Sequence, residues 1–177
     1  MYGLGGDDII YGSDGSEFQI GGTGDDTVFG GTGTDVIYGD DIIFDPLEAG
    51  NDFLYGGAGL DIVVGMYGED VITGGDGNDE LSGGFRFFSD GDADVFVFGQ
   101  TSGADTITDF EFFNGGGDDK IDLTAFGLAS TAFLTVTDAD ADGNVEVGVI
   151  GVDPAVFSIE LIGVAFGDLS DNDFILS

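Results

Sequence analysis

The sequence predicts an all-β fold: a solenoid of short stacked strands, closed by a β-rich capping segment. Three observations predict it. Residues 21–38 read GGTGDDTVF GGTGTDVIY, two back-to-back nonapeptides that each obey Gly-Gly-x-Gly-x-Asp-x-apolar-x. The same period runs outward from residue 3 to about residue 97. After residue 97 the period stops, and alternation of apolar and polar residues takes over.

The units can be taken in order. GLGGDDIIY (3–11) and GSDGSEFQI (12–20) precede the two regular ones. The register breaks at Gly39, where GDDIIFDP (39–46) intrudes, and resumes as LEAGNDFLY (47–55), GGAGLDIVV (56–64), GMYGEDVIT (65–73) and GGDGNDELS (74–82). A second insertion, GGFRFF (83–88), precedes a degenerate unit, SDGDADVFV (89–97). Residues 7–9 of each unit read as a very short strand. Period-2 alternation then sends position 8 to one face and positions 7 and 9 to the other. Position 8 holds Ile10, Val28, Ile37, Leu54, Val63, Ile72, Leu81 and Phe96, with Gln19 as the exception. Such a unit has too little apolar surface to stand alone and is stable only when stacked.

Charge narrows the partners. Thirty-six acidic residues face two basic ones, Arg86 and Lys120, for a formal net charge of −34. A surface this negative repels nucleic acid and anionic membranes and attracts cations. Yet 42% of residues are hydrophobic and 17 are Phe, which is the composition of a folded chain rather than an acidic tail. With no Cys and no His, thiol chemistry, disulfides, zinc fingers and His-based catalysis are excluded within the chain. No apolar run is long enough for a membrane helix, so membrane insertion is not expected. The N-terminus lacks the basic and apolar regions of a signal peptide and enters in mid-pattern, which predicts a piece of a longer protein.

The acids recur at one fixed place. Position 6 is Asp8, Glu17, Asp26, Asp35, Asp52, Asp61, Asp70, Asp79 and Asp94, while position 5 varies. Turn preference alone favours Asp and Gly but does not fix Asp at one position. The glycines at positions 1, 2 and 4 allow carbonyls to turn toward a cation. They are Gly3 and Gly6; Gly21, Gly22 and Gly24; Gly30, Gly31 and Gly33; Gly50; Gly56, Gly57 and Gly59; Gly65 and Gly68; Gly74, Gly75 and Gly77.

This nonapeptide resembles the RTX (repeats-in-toxin), or hemolysin-type, calcium-binding repeat. The resemblance implies a right-handed parallel β-roll in which two nonapeptides make one coil and position 8 lines a thin core. Turns then stack roughly 4.8 Å apart, so position-6 carboxylates two units apart face a shared gap. Calcium takes six to eight oxygens at about 2.3–2.6 Å, which two carboxylates and several glycine carbonyls supply. Asp8 would share a site with Asp26, Glu17 with Asp35, Asp52 with Asp70, and Asp61 with Asp79. Glu17, a methylene longer than Asp, makes the Glu17–Asp35 site the poorest. Whether Asp26 or Asp35 stacks on Asp52 depends on whether 39–46 loops out, which the sequence leaves open. The outward apolar residues at positions 7 and 9, among them Ile9, Tyr11, Phe53, Tyr55 and Val64, are expected to be covered by the C-terminal segment or by 39–46, or else to form a docking face.

From residue 98 onward the chain reads as strands at 94–98, 105–110, 120–123, 132–136, 145–149 and 157–162. The runs Asp94-Val-Phe-Val-Phe98, Gly103-Ala-Asp-Thr-Ile-Thr-Asp-Phe110 and Asp119-Lys-Ile-Asp-Leu123 are similar to the C-terminal domain of serralysin-type secreted metalloproteases. Similar runs close the repeat modules of secreted mannuronan epimerases and family I lipases. The ending, Ser158 to Val164 and then Asp173-Phe-Ile-Leu-Ser177, resembles their type I secretion signals. Residues 138–143 (DADADG) copy the start of an EF-hand loop but lack its final Glu, so a hairpin turn is expected there. Asp109, Asp118, Asp119 and Asp122 are further candidate ligands, and Arg86 a candidate contact.

The expectation is a β-roll over 1–97, interrupted at 39–46 and 83–88, with a cap and secretion signal over 98–177. It would be a non-enzymatic module of a secreted, extracellular or cell-surface bacterial protein. Its partners would be several calcium ions, the type I secretion machinery and a missing N-terminal domain. The alternative is a polysaccharide-binding or adhesin module of a larger extracellular enzyme, such as a serralysin-like protease, lipase or mannuronan epimerase.

Overall fold

The computed structural model describes all residues except 42–49, 86–90, 112–117, 139 and 166. The repeat residues form β1 (Tyr2–Gly5), β2 (Ile9–Tyr11), β3 (Phe18–Thr23), β4 (Thr27–Gly33), β5 (Val36–Asp40), β6 (Phe53–Gly59), β7 (Ile62–Val64), β8 (Val71–Gly77) and β9 (Glu80–Ser82). The chain continues as β10 (Val95–Val97), β11 (Gly103–Ile107), β12 (Lys120–Asp122), β13 (Leu134–Thr137), β14 (Val145–Val149), β15 (Phe157–Leu161) and β16 (Phe174–Ile175). Through β12, successive strands alternate between two sheets. One runs β1-β3-β5-β7-β9-β11-β15-β14-β13 and the other β16-β12-β10-β8-β6-β4-β2. Every pair within the repeat is parallel. This is the parallel β-roll that the resemblance implies.

Register shows how the insertions are absorbed. In a regular coil Ile10 lies opposite Val28, and Leu54 opposite Ile72. Across 39–46 the partners are Val28 with Leu54 and Ile37 with Val63. The extra separation is eight residues, so Asp26, not Asp35, stacks on Asp52; because Gly39 and Asp40 keep the repeat register, the interruption falls at 42–49, outside the described residues, and not at 39–46 as expected. Strand β5 runs on through Gly39 and Asp40, with Asp40 opposite Gly22.

Position 8 builds the core. Val28, Ile37, Leu54, Val63, Ile72, Leu81 and Phe96 have no exposed surface, and full burial of each such side chain contributes roughly 1.5–3 kcal/mol. Gln19 is buried among them. Its Nε2 donates to the Phe29 carbonyl at 3.1 Å, while Oε1 has no partner. Ile9 and Tyr11, at positions 7 and 9, face outward at 65% and 66% exposed, whereas Ile20, at position 9 of the next unit, is buried. Val64 departs from that expectation: it is 1% exposed, opposite the buried Ser82 at the foot of the second insertion.

The C-terminal residues extend the sheets rather than folding over their outer faces. Strands β11 and β12 continue the two sheets beyond residue 97 in parallel register. Antiparallel β15, β14 and β13 end one sheet, and β16 ends the other. Their apolar residues, including Val145, Val147, Phe157, Ile159 and Leu161, join the same core. The outer residues of β2 and β6 therefore remain exposed, which overturns the expectation that this segment covers them. What 42–49 covers lies outside the described residues, as does Arg86.

Candidate metal centres

The position-6 aspartates form two ladders, one on each edge of the roll. On the first, Asp8 N–H donates to Asp26 Oδ1 (2.7 Å), Asp26 to Asp52 (2.8 Å), Asp52 to Asp70 (2.7 Å), Asp70 to Asp94 (2.9 Å) and Asp94 to Asp119 (3.0 Å). On the second, Glu17 N–H donates to Asp35 Oδ1 (2.8 Å), Asp35 to Asp61 (2.8 Å), Asp61 to Asp79 (2.9 Å) and Asp79 to Asp105 (2.9 Å). The period alone thus brings the expected acids together. Position 5 adds a counter-running set: Asp7 Oδ1 accepts from Asp25 N–H, Asp25 from Asn51, Asn51 from Glu69, and Asn78 from Ala104.

Each ladder uses only half of a carboxylate. The Oδ2 atoms of Asp26, Asp35, Asp52, Asp61, Asp70 and Asp79 are buried without a hydrogen-bond partner. A buried, unsatisfied carboxylate oxygen is costly and calls for a partner. The glycine at position 1 lies against that oxygen. A Cβ on Gly21 would stand 2.4 Å from Asp26 Oδ2 and 2.4 Å from the Gly39 carbonyl oxygen. One on Gly30 would stand 2.7 Å from Asp35 Oδ2 and 2.3 Å from the Gly56 oxygen. At both places a carboxylate oxygen and a backbone carbonyl oxygen crowd the glycine Cα, so no side chain fits there, and oxygen is the donor type of a hard cation such as calcium.

Burial raises the pKa of these groups. Asp52 is pushed up to about 8 and Asp79 to about 6, chiefly by loss of hydration. Asp70 lies well above the ordinary carboxylate range for the same reason, reinforced by the charge of Asp52. Asp26, Asp35 and Asp61 are also raised by burial, and backbone N–H donors pull each of them partly back. With two cationic side chains in the sequence, the protein itself supplies little to offset this repulsion.

Glu17 behaves as its extra methylene suggests. Its carboxylate turns to its own loop and accepts from Ser13 Oγ (2.9 Å) and Ser13 N–H (3.2 Å).

Sequence reasoning missed one ladder member, Asp105, and named a second, Asp119, only as a junction ligand and not as part of the ladder. Their signal is Asp-x-apolar without the glycines: Asp105-Thr-Ile107 and Asp119-Lys-Ile121, whose apolar residues are fully buried. Asp105 is raised to about 7 and Asp119 to about 9, both mainly by burial. Among the suggested junction ligands, Asp119 is committed to backbone N–H groups of Asp94 and Glu111. Asp109 accepts from Ser82 Oγ and from Gly83 and Gly84 N–H, which ties down the second insertion. Asp122 accepts from Thr124 N–H.

Residues 138–144 join antiparallel β13 and β14, as the hairpin reading expects. Asp138, Asp140, Asp142 and Glu146 do bring carboxylate oxygens within 4.8 Å of one another. Asp140 and Asp142 nevertheless accept from backbone N–H groups two residues on, which is ordinary turn chemistry.

Alternating strands, a position-8 core and two edge ladders of half-satisfied carboxylates define a cation-binding parallel β-roll. Residues 1–18, 20–41, 48–66 and 55–85 match the RTX calcium-binding nonapeptide repeat, in four copies, and the array is an RTX calcium-binding array. Among solved structures the chain is similar to the AlgE6R3 subunit of the Azotobacter vinelandii mannuronan C5-epimerase, at 25% identity over 98% of this chain and 80% of that one, with a TM-score of 0.43. It is also similar to extracellular lipase LipA from Serratia marcescens (16% identity, 96% of this chain, 40% of that one, TM-score 0.39). The AlgE6R2 subunit of the epimerase matches at 22% identity over 94% of this chain and 91% of that one, with a TM-score of 0.37. No curated protein matches the chain. Among the described residues no helix is long and apolar enough to cross a membrane.

Proposed function

We propose that this calcium-binding chain is a folding and export module of a secreted bacterial protein. Residues 1–97 are the calcium-responsive array and residues 98–177 the cap, which carries a type I secretion signal. Its partners are calcium ions, the type I secretion machinery and a domain N-terminal to the array. The observation that carries this reading is the row of buried, unpartnered Oδ2 atoms. Asp8, Asp26, Glu17, Asp35, Asp52, Asp61, Asp70, Asp79 and Asp94 supply the carboxylates, and glycine carbonyls of the adjoining turns complete each oxygen set.

Calcium, when bound, supplies the positive charge and the multi-oxygen bonding that the edges lack. The oxygen sets exist only in stacked coils, so binding energy becomes folding energy. Where free calcium is scarce, each pair of like charges about 5 Å apart costs ~1 kcal/mol even in a water-like dielectric. Their sum favours an unfolded chain, which suits passage through a narrow channel. Circular dichroism at neutral pH is expected to show β-structure in calcium and its loss in EDTA. A chain equally β-rich in both sinks this reading.

One observation favours a second role as a docking module for a polysaccharide. Tyr11 and Phe29 stack on the outer face of β2 and β4, with ring centroids 5.1 Å apart, and Phe53 and Tyr55 flank Phe29. Aromatic rings in a row suit the apolar faces of sugars. Glycan-array binding in calcium, abolished by Tyr11→Ala, is its test.

A further inference from the structure

The two sheets carry different outer faces. On the sheet that contains β2, the outward residues at positions 7 and 9 are uncharged from β2 to β10, and the first charges are Lys120 and Asp122 on β12. On the other sheet the row that starts at Ile62 continues across neighbouring strands as Glu80, Thr106, Glu160 and Glu146. The net charge of the chain is −34. On the first face two copies can nevertheless meet without setting acid against acid, which the second face does not allow.

The uncharged face is uneven from end to end. At the β2 end the large side chains are open to solvent: Ile9 and Tyr11 are the most exposed, and exposure falls to 43% at Phe53 and 37% at Tyr55. Tyr11 stacks on Phe29 across the β2–β4 gap, with planes only 6° apart. Rings stacked across neighbouring strands stand upright on the sheet and form a ridge with its edges outward. Toward β8 and β10 the outward residues shrink to Thr and Val, and the face sinks into a groove of about 270 Å³ between Tyr55, Thr73, Val97, Thr101 and Ala125. The Asp76 carboxylate and the Thr101 hydroxyl on its wall are acceptors for a tyrosine hydroxyl.

We infer that this face is a self-association surface, on which two copies of the chain pack face to face with the β2 ridge of each seated in the β8–β10 groove of the other. A twofold pair needs a patch that is complementary to itself, and a ridge at one end with a groove at the other is such a patch. Strand order fixes the arrangement. β2 and β10 lie about 19 Å apart across the sheet, with β6 midway between them. The twofold axis therefore runs along β6, where Phe53 and Tyr55 meet their counterparts. At their exposures the outward side chains from β2 to β10 present roughly 600 Å² per copy, and a pair buries about 1,200 Å², the lower end of the range for a stable interface. A face covered in this way is closed to a sugar, so the dimer and the polysaccharide reading exclude each other.

The test is sedimentation of the full chain in saturating calcium. Wild type is expected to sediment as a dimer. Tyr11→Ser removes the ridge and Thr73→Tyr fills the groove, and each is expected to raise the dimer dissociation constant by about tenfold to a hundredfold. Both side chains lie on the surface, so circular dichroism in calcium should match wild type. Ile150→Ser, equally exposed but outside this sheet, should leave the dimer unchanged. The chain has no cysteine, so single thiols report the arrangement: Phe53→Cys should link to its counterpart on oxidation, and Tyr11→Cys should not. A chain that stays monomeric at every concentration overturns the inference, as does a dimer that neither Tyr11→Ser nor Thr73→Tyr weakens. A Tyr11→Cys chain that links to itself overturns it too, and a monomer that binds a glycan array through Tyr11 gives the face to sugar instead.

Discussion

The two edges of the roll have the same ladder and different charge densities. The first edge stacks Asp26, Asp52 and Asp70 and adds Asp40. The second stacks Asp35, Asp61 and Asp79 and begins with Glu17, whose carboxylate also accepts from Ser13. Burial and crowding push Asp52 to about 8, while Asp79 reaches about 6. Identical repeat chemistry thus gives unequal sites, because the departures from the repeat fall on different edges. What raises a carboxylate's pKa along the roll is how dry it is and how many other carboxylates crowd it.

The largest expected effect is calcium removal, which should abolish the difference by unfolding both edges at neutral pH. Hydrogen exchange followed during EDTA titration should show protection persisting longest around Asp52, where the carboxylates are most numerous. Simultaneous loss at Asp52 and Asp61 would mean that the edges are equivalent.

Acid should separate them without any metal. The ordinary Asp pKa is near 3.9, and the folded values for Asp79 and Asp52 are about 6 and about 8. The folded chain therefore binds more protons than the unfolded chain between those limits. This contribution to stability is complete below about pH 4 and is lost as pH rises through the folded values. Lowering the pH from 9 to 5 in EDTA is expected to restore β-structure, with the Asp52 edge recovering before the Asp79 edge. A calcium-free chain less ordered at pH 5 than at pH 9 contradicts the burial argument.

Glu17→Asp probes the weak end of the second edge. A shorter carboxylate no longer reaches Ser13 and stays on the ladder line. Calcium affinity at that coil should improve by about tenfold, the equivalent of one charge-assisted contact of ~1.5 kcal/mol. An unchanged isotherm would show that the methylene is not the defect.

The smallest expected effect lies in the core beneath that coil. Gln19→Leu removes a buried, unpartnered Oε1, while the Phe29 carbonyl keeps its bond from Gly12 N–H. Stability should change by no more than about 1 kcal/mol, in the favourable direction, which thermal melts in calcium will register as a small rise.

The parts of this protein that were legible in its sequence are those where one rule repeats. Position 8 predicts the core and position 6 the ladders, because strand alternation and coil stacking act alike on every unit. Asp105 escaped notice, and Asp119 was not placed on the ladder, because their units have lost the glycines while keeping Asp-x-apolar. The position-5 ladder was hidden by its variety, since Asp and Asn accept equally well there while other residues intervene. The uncovered aromatic face of β2, β4 and β6 depended on where the C-terminal strands dock, and alternation says only that they are strands.

The counter-running ladders also have a mechanical consequence. Position-6 acceptors reach back to the preceding coil, and position-5 acceptors reach forward to the next. Sliding one coil past its neighbour in either sense breaks a ladder, so the roll is stiff against shear along its strands. Among the described residues each position-5 and position-6 ladder bond joins neighbouring coils. Under tension along its length the molecule should therefore give way as a series of small, nearly equal steps, each releasing one turn of the spiral.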